Sequence, residues 1–252
     1  YLDFIFDNFR TDTGNTLNIC TYLHNRSVAI NNKPLIASSL NIKASIYALK
    51  NDFSNASKFY TEAADLFEKI NEPYSSAMMY NNIGLMYNNT NNQKSALEYF
   101  QKGLKKCEQH NLEKPRALIH INLANLFIKD GNLDNALDNA LIADDLCLKL
   151  KMKVEQAVNA NLIGAIYFFK NNFEKALEFY RLSYQLSLAS KDIHSQNMAL
   201  SNIGEVLVLE KNPEAIPILQ ETEQYFAKIK DYVNLQQVYN NYTSYYKNIK
   251  DS

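Results

Sequence analysis

Apolar side chains along this chain recur at three- and four-residue steps, the spacing that gathers them on one face of an α-helix. Around residues 80–87 that face is made by Tyr80, Ile83, Gly84 and Tyr87. The pattern then returns at a fixed interval. Its small residue reappears forty positions apart as Ala44, Gly84, Ala124, Gly164 and Gly204. Tyr47, Tyr87, Phe127, Tyr167 and Leu207 follow three positions later, and Ala56, Ala96, Ala136 and Ala176 twelve positions later. The fifth copy is one residue short, at Ala215, and the sixth keeps the shortened count with Thr243 and Tyr246. A period of this length means stacked supersecondary units rather than one globular core.

One period reads as two helices. The first spans about Ser75 to Thr90 and stops at Asn91 and Asn92, because asparagine tolerates the left-handed conformation that ends helices. Asn51 and Asp52, Gly131 and Asn132, and Asn171 and Asn172 hold the same slot. The second helix spans about Gln93 to His110, with Ala96, Phe100 and Leu104 facing inward. Pro34, Pro73 and Pro115 open first helices, where a missing N–H costs nothing. Gly84 and Ala96 let the paired helices approach closely. The expected organisation is a divergent helix pair over 1–33, broken around Thr13, Gly14 and Asn15, then five repeats over 34–231, then a lone first helix over 232–252. That last helix is expected to dock through Tyr239 and Tyr242 and to leave Tyr246 less covered than Tyr87. The opening at Tyr1 instead of Met, and the missing second helix at the other end, lead us to expect a piece of a longer protein. Three departures from the pattern stand out. Lys43 replaces the Ile or Leu of the other copies, Ala140 stands where Phe100 and Tyr180 stand, and Pro217 should kink the fifth second helix or delay its start.

Composition narrows the function. Twenty-six basic and 27 acidic residues give a formal net charge of −1, which offers no field for a phosphate backbone. Direct nucleic-acid binding by this segment is therefore not expected. No apolar run approaches the roughly 18 residues a membrane helix needs, so membrane insertion is not expected either. Cys20, Cys107 and Cys147 make no disulfide framework and read as small buried apolar groups, compatible with the cytoplasm or the periplasm. The 33 asparagines, and 22 lysines against four arginines, read as a compositional bias.

The recurring small residue, aromatic, alanine and aromatic, as in Gly84, Tyr87, Ala96 and Phe100 or Gly164, Tyr167, Ala176 and Tyr180, resembles the tetratricopeptide repeat family over about residues 34–250. The forty-residue form is similar to kinesin light chain, to Rap-type peptide receptors and to sensor regions of Bacteroidetes regulators. The resemblance implies an all-α, right-handed superhelical solenoid of antiparallel helix pairs whose first helices line a concave groove. Two and three positions before each small residue lie twelve groove slots. They are Asn41, Ile42, Asn81, Asn82, Ile121, Asn122, Asn161, Leu162, Ser201, Asn202, Asn240 and Asn241. Eight are asparagine, where the chain-wide frequency would give about one or two. A carboxamide can donate to and accept from one peptide unit, so a ladder of them could hold an extended backbone. The same asparagines could equally serve structure by bonding the neighbouring helix. Specificity would come from the slots one and four places after the small residue, among them Asn125, Glu205 and Phe168. Ile128, Phe168 and Val208 form an apolar stripe there, with Phe169 and Leu209 beside it, whose members could instead pack between repeats. The lysine and arginine clamp that cochaperone relatives close on a carboxylate is missing, since Lys247 is the single lysine of these columns and they hold no arginine.

The four histidines show no metal-ligand spacing, and no Gly-rich phosphate loop exists, so no catalytic residue, metal or cofactor is expected. The sequence reads as a non-catalytic module that binds a protein or peptide segment, as the sensing or scaffolding region of a larger signalling or transcription regulator. The alternative is a structural adaptor assembling through its ends or convex face, with a homodimer through the C-terminal helix as one form.

Overall fold

The computed structural model describes residues 13–250, as twelve helices. These are α1 (Thr13–Ala29), α2 (Lys33–Leu49), α3 (Phe53–Lys69), α4 (Pro73–Asn89), α5 (Gln93–His110) and α6 (Glu113–Lys129). They continue as α7 (Leu133–Leu150), α8 (Lys153–Phe169), α9 (Phe173–Ser190), α10 (Ile193–Leu209), α11 (Ala215–Ile229) and α12 (Tyr232–Lys250). Of the pair expected over 1–33, residues 1–12 lie outside the described residues and α1 covers Thr13–Ala29.

The turns set this layout. A residue with positive φ follows the helices at Asn31, Asn51, Asn71, Asn91, Asn111, Gly131, Lys151, Asn171, Lys191, Lys211 and Lys230. The spacing is twenty residues until the last interval of nineteen, so connections between repeats use the same stop as connections within them. The next residue usually caps the following helix. The side chains of Asn32, Asp52, Asn92, Asn132, Asn172, Asp192 and Asp231 each accept a hydrogen bond from a backbone N–H three positions on. Such a cap satisfies a helix N–H that has no partner within the helix. Part of the asparagine content is thus positional: the residue tolerates the left-handed stop and caps the next helix, and lysine or, at Gly131, glycine takes the stop where asparagine does not.

The chain divides into two compact units, Tyr1–Asn122 and Leu123–Ser252. In the first, consecutive helices from α1 to α5 pack side by side. Ala37, Ala44, Ala56, Tyr60, Ala63, Phe67, Met79, Ile83 and Met86 form its main core. A smaller cluster joins Cys20 of α1 to Ile42 and Ile46 of α2. Ile42, expected in a groove slot, is therefore buried beneath α1. Lys43 is half-buried and lays its ammonium over the Phe59 ring, 4.7 Å from the centroid.

In the second unit α7 to α12 pack consecutively, and the first helix α10 also touches α8 and α12. The main core joins Ala176, Tyr180, Ile203, Val206, Leu219, Phe226, Val238 and Tyr245. Pro217 falls in the first turn of α11, which starts late and runs only fifteen residues, so the ring displaces no helical hydrogen bond. The helix α12 corrects one expectation. It docks through Val238, Tyr245 and the half-buried Tyr242, whereas Tyr239 is exposed. The two stripes are neighbours on the helix. In α10 the matching positions Leu200 and Leu207 are buried, the second in the core that holds Leu219 of the following helix. On α12 that stripe is open, and Tyr246 is 55% exposed against a half-buried Tyr87.

Where paired helices cross, small and large residues match. A Cβ on Gly84 would lie 2.6 Å from the Phe100 ring, and one on Gly164 would lie 2.5 Å from Tyr180. The third repeat needs neither gap nor ring: Ala124 and Ala140 are both fully buried. Its core is filled instead by Phe127, Leu133, Leu137 and Phe179 packing onto the same cluster. The match is not obligatory, because Ala44 shares a core with Tyr60.

Candidate functional site

The slots before the small residues are mostly half-buried, and asparagines of these columns bond one another across adjacent first helices. In the first unit Asn82 Nδ2 of α4 donates to Asn41 Oδ1 of α2 at 3.3 Å, and Asn122 Nδ2 of α6 donates to Asn81 Oδ1 of α4 at 2.8 Å. In the second unit Asn202 Nδ2 of α10 donates to Asn161 Oδ1 of α8 at 2.8 Å. Each pair joins the slot three before one small residue to the slot two before the next. Each is used at one group only. The acceptor asparagine keeps its NH2 and the donor keeps its carbonyl oxygen.

Burial differs along the columns. Asn82, Asn122, Asn125, Asn161 and Asn202 are half-buried and Asn240 is exposed, while Asn81 and Asn241 are nearly covered, at 5% each. The sequence offered the groove and the neighbouring helix as alternatives for these asparagines, and the geometry shows the bonds to the neighbouring helix.

Two accepting slots hold no asparagine, Ile121 and Ser201. Ser201 stands where Asn41, Asn81 and Asn161 accept, and the Asn241 NH2 in the facing slot is buried without a partner. Gln237 Nε2 donates to the other end of that carboxamide at 3.4 Å. A serine hydroxyl is too short to replace an asparagine oxygen across two helices. We expect Ser201→Asn to raise stability by about 0.5–1.5 kcal/mol, the net worth of one hydrogen bond, by satisfying this buried donor. Thermal or denaturant unfolding would read it, and a drop in midpoint would show that the slots do not face each other.

In the first unit the same columns line an open cleft of about 390 Å³, bounded by Asn41, Ser45, Ala48, Tyr60, Asn82 and Leu85 among others. The Tyr60 hydroxyl lies 3.0 Å from Ser45 Oγ. In the second unit Phe168 packs edge-on against Phe173 and Phe169, with centroids 5.6 and 5.9 Å away. Val208, expected to share its apolar stripe, is buried at 1% and presents no surface. Phe169 and Leu209 stay exposed. Glu205 is half-buried, its carboxyl pushed above the usual range by burial, and it accepts from Gln237 Nε2 at 3.2 Å.

Elsewhere the chemistry is quiet. All three cysteines are free and buried, and burial pushes the Cys107 and Cys147 thiols up to about 11. Among the described residues no three His, Cys, Asp or Glu side chains gather as a metal site, and no helix is long and apolar enough to cross a membrane.

Comparison with known proteins agrees with the geometry. Tetratricopeptide repeat family models match residues 35–109 and 159–189. Tetratricopeptide repeats therefore occur in both units, and the twelve described helices form an all-α helical repeat solenoid. No curated protein matches its sequence significantly. Solved structures match its fold. BtubC (BKLC) from P. vanneervenii aligns at TM-score 0.75 and 16% identity, over 87% of this chain and 93% of that one. RapI in its apo form aligns at 0.73 and 14%, over 98% and 97%. NprR in complex with its cognate peptide NprX aligns at 0.66 and 16%, over 96% and 74%.

Proposed function

We propose that the first helices bind an extended peptide or protein segment through its backbone, and that the chain is the sensing or scaffolding region of a larger regulator. One observation carries the reading. Each asparagine pair leaves a free N–H donor on one carboxamide and a free carbonyl acceptor on the other, side by side on adjacent helices. A peptide unit offers the complementary C=O and N–H. Pairing fixes the two carboxamides before the ligand arrives, which lowers the ordering cost of binding. The peptide complex of NprR, on a similar fold, supports the choice of ligand class.

Replacing Asn161 and Asn202 together by Ala should weaken binding of peptides selected from a random library by about tenfold or more, since two hydrogen bonds to the ligand are lost. Helical content should stay unchanged, because the pair is half-buried and lies outside the core cluster. Unaltered peptide binding by a folded double variant would defeat the proposal. A second reading, assembly of copies through α12, draws on the exposed Tyr239 and Tyr246 of that helix. Tyrosine suits such a surface, burying its ring while its hydroxyl stays wet.

A further inference from the structure

Glu205 is the one charged residue of its column, whose other members are Ser45, Leu85, Asn125, Ala165 and Ser244. It lies three positions after Asn202, on the same face of α10 as the Asn161–Asn202 pair. Gln237 of α12 donates to Oε1 at 3.2 Å and orients the carboxylate, leaving Oε2 without a partner. Among the described residues no lysine, arginine or histidine pairs with it, and Lys247, the nearest basic member of the groove columns, is exposed and makes no ion pair.

A second acceptor belongs to α9, in the core cluster that α10 shares. Tyr180 is 3% exposed, and its phenol is pushed up by burial and by the Glu205 charge. Its hydroxyl has no hydrogen-bond partner among the described residues, whereas the matching Tyr60 hydroxyl is bonded to Ser45. Ala165 occupies the place of that serine and offers nothing. Glu205 Oε2 thus keeps spare acceptor capacity on the helix face that carries Asn202 of the carboxamide pair. A partly desolvated carboxylate without a cation costs free energy in the unbound protein. A partner that supplies the cation recovers it.

We propose that this point of the groove receives a cationic group of the bound segment, an ammonium or a guanidinium, whose N–H groups donate to Glu205 Oε2. The proposal rests on the peptide-groove reading and adds a charge requirement to it. The cation can come from a lysine or arginine side chain or from a free amino terminus.

The test is a positional-scanning peptide library in two forms, one with blocked and one with free amino termini. It is bound to the whole chain and to its Glu205→Gln and Glu205→Lys variants. Mixtures fixed as Lys or Arg at one position should bind at least about tenfold better than those fixed as Glu there, the scale of a charge-assisted hydrogen bond. If the amino terminus supplies the cation, the preference appears as free over blocked peptides. Glu205→Gln should abolish the preference without lowering thermal stability, because an uncompensated carboxylate is being neutralised. Glu205→Lys should invert it toward acidic peptides, a swap that a merely structural glutamate would not produce. Binding without charge preference, or a preference that survives in Glu205→Gln, overturns this inference and leaves the groove reading standing. Absence of binding by every mixture overturns both.

Discussion

Phe100→Ala should destabilise the first unit by about 3–5 kcal/mol, and adding Gly84→Ala to that variant should give back about 1 kcal/mol. The ring is completely buried against the glycine, so removing it leaves a void that rigid helix backbones cannot close. In the parent chain Gly84→Ala should itself be destabilising, since the new Cβ would lie 2.6 Å from a ring with no room to retreat. Without the ring, the same methyl enters empty space and brings the better helix propensity of alanine. The sign of one substitution thus depends on the other, as contacting residues allow. Ala124 with Ala140 shows that the double combination is compatible with this architecture. Denaturant unfolding of the two single variants and the double variant decides the matter. If Gly84→Ala is destabilising by the same amount in both backgrounds, the two positions do not share a contact.

The second large effect separates two faces of one helix turn. Gly164→Leu should cost about 1–3 kcal/mol by overpacking the crossing with α9, because even its Cβ would meet Tyr180 at 2.5 Å. Asn161→Leu, one turn earlier, loses a single half-exposed hydrogen bond to Asn202 and should cost about 1 kcal/mol or less. Midpoints measured for the two variants under one set of conditions should therefore order themselves with Gly164→Leu lower. Equal shifts would mean that the glycine column does not mark the tight crossing. Nearest-neighbour stacking can also split the transition, so a broadened unfolding curve for Gly164→Leu would belong to the same outcome.

The repeat itself was legible because its three ingredients are local. Periodicity gave the helix faces, Asn91 and its equivalents gave the stops, and Gly84 and Gly164 gave the close crossings. Of the stops between repeats, Lys151 and Lys191 carry no left-handed signature of their own, whereas Asn71 and Asn111 do and mark the boundary as Asn91 marks the turn within a repeat. Candidate-site residues were legible as columns but not as contacts. That Asn202 donates to Asn161 depends on the offset between neighbouring helices, a quantity no single repeat contains. Val208 and Phe168 occupy the same slot in successive repeats, yet the first is sealed and the second half-open, because their surroundings differ and their spacing does not. Tyr239 was misplaced for a related reason: adjacent stripes on a helix differ by one residue, and only the presence of a covering helix tells them apart.

The shortened fifth repeat shows where such a chain can change length. Successive left-handed stops lie twenty residues apart as far as Lys211, and then nineteen to Lys230. Ala215, Leu219 and Phe226 keep the same distances to the stop that follows as Ala176, Tyr180 and Ser187 keep to Lys191. The missing residue therefore falls between Lys211 and Ala215, ahead of the first buried position of α11. Removed from mid-helix, a single residue would rotate everything beyond it by about 100° and turn the core face outward. Removed at the helix entrance, it shortens one solvent-facing turn and leaves the register downstream intact. Insertions and deletions in engineered versions of this chain belong at helix entrances, where the reading frame of the solenoid is indifferent to length.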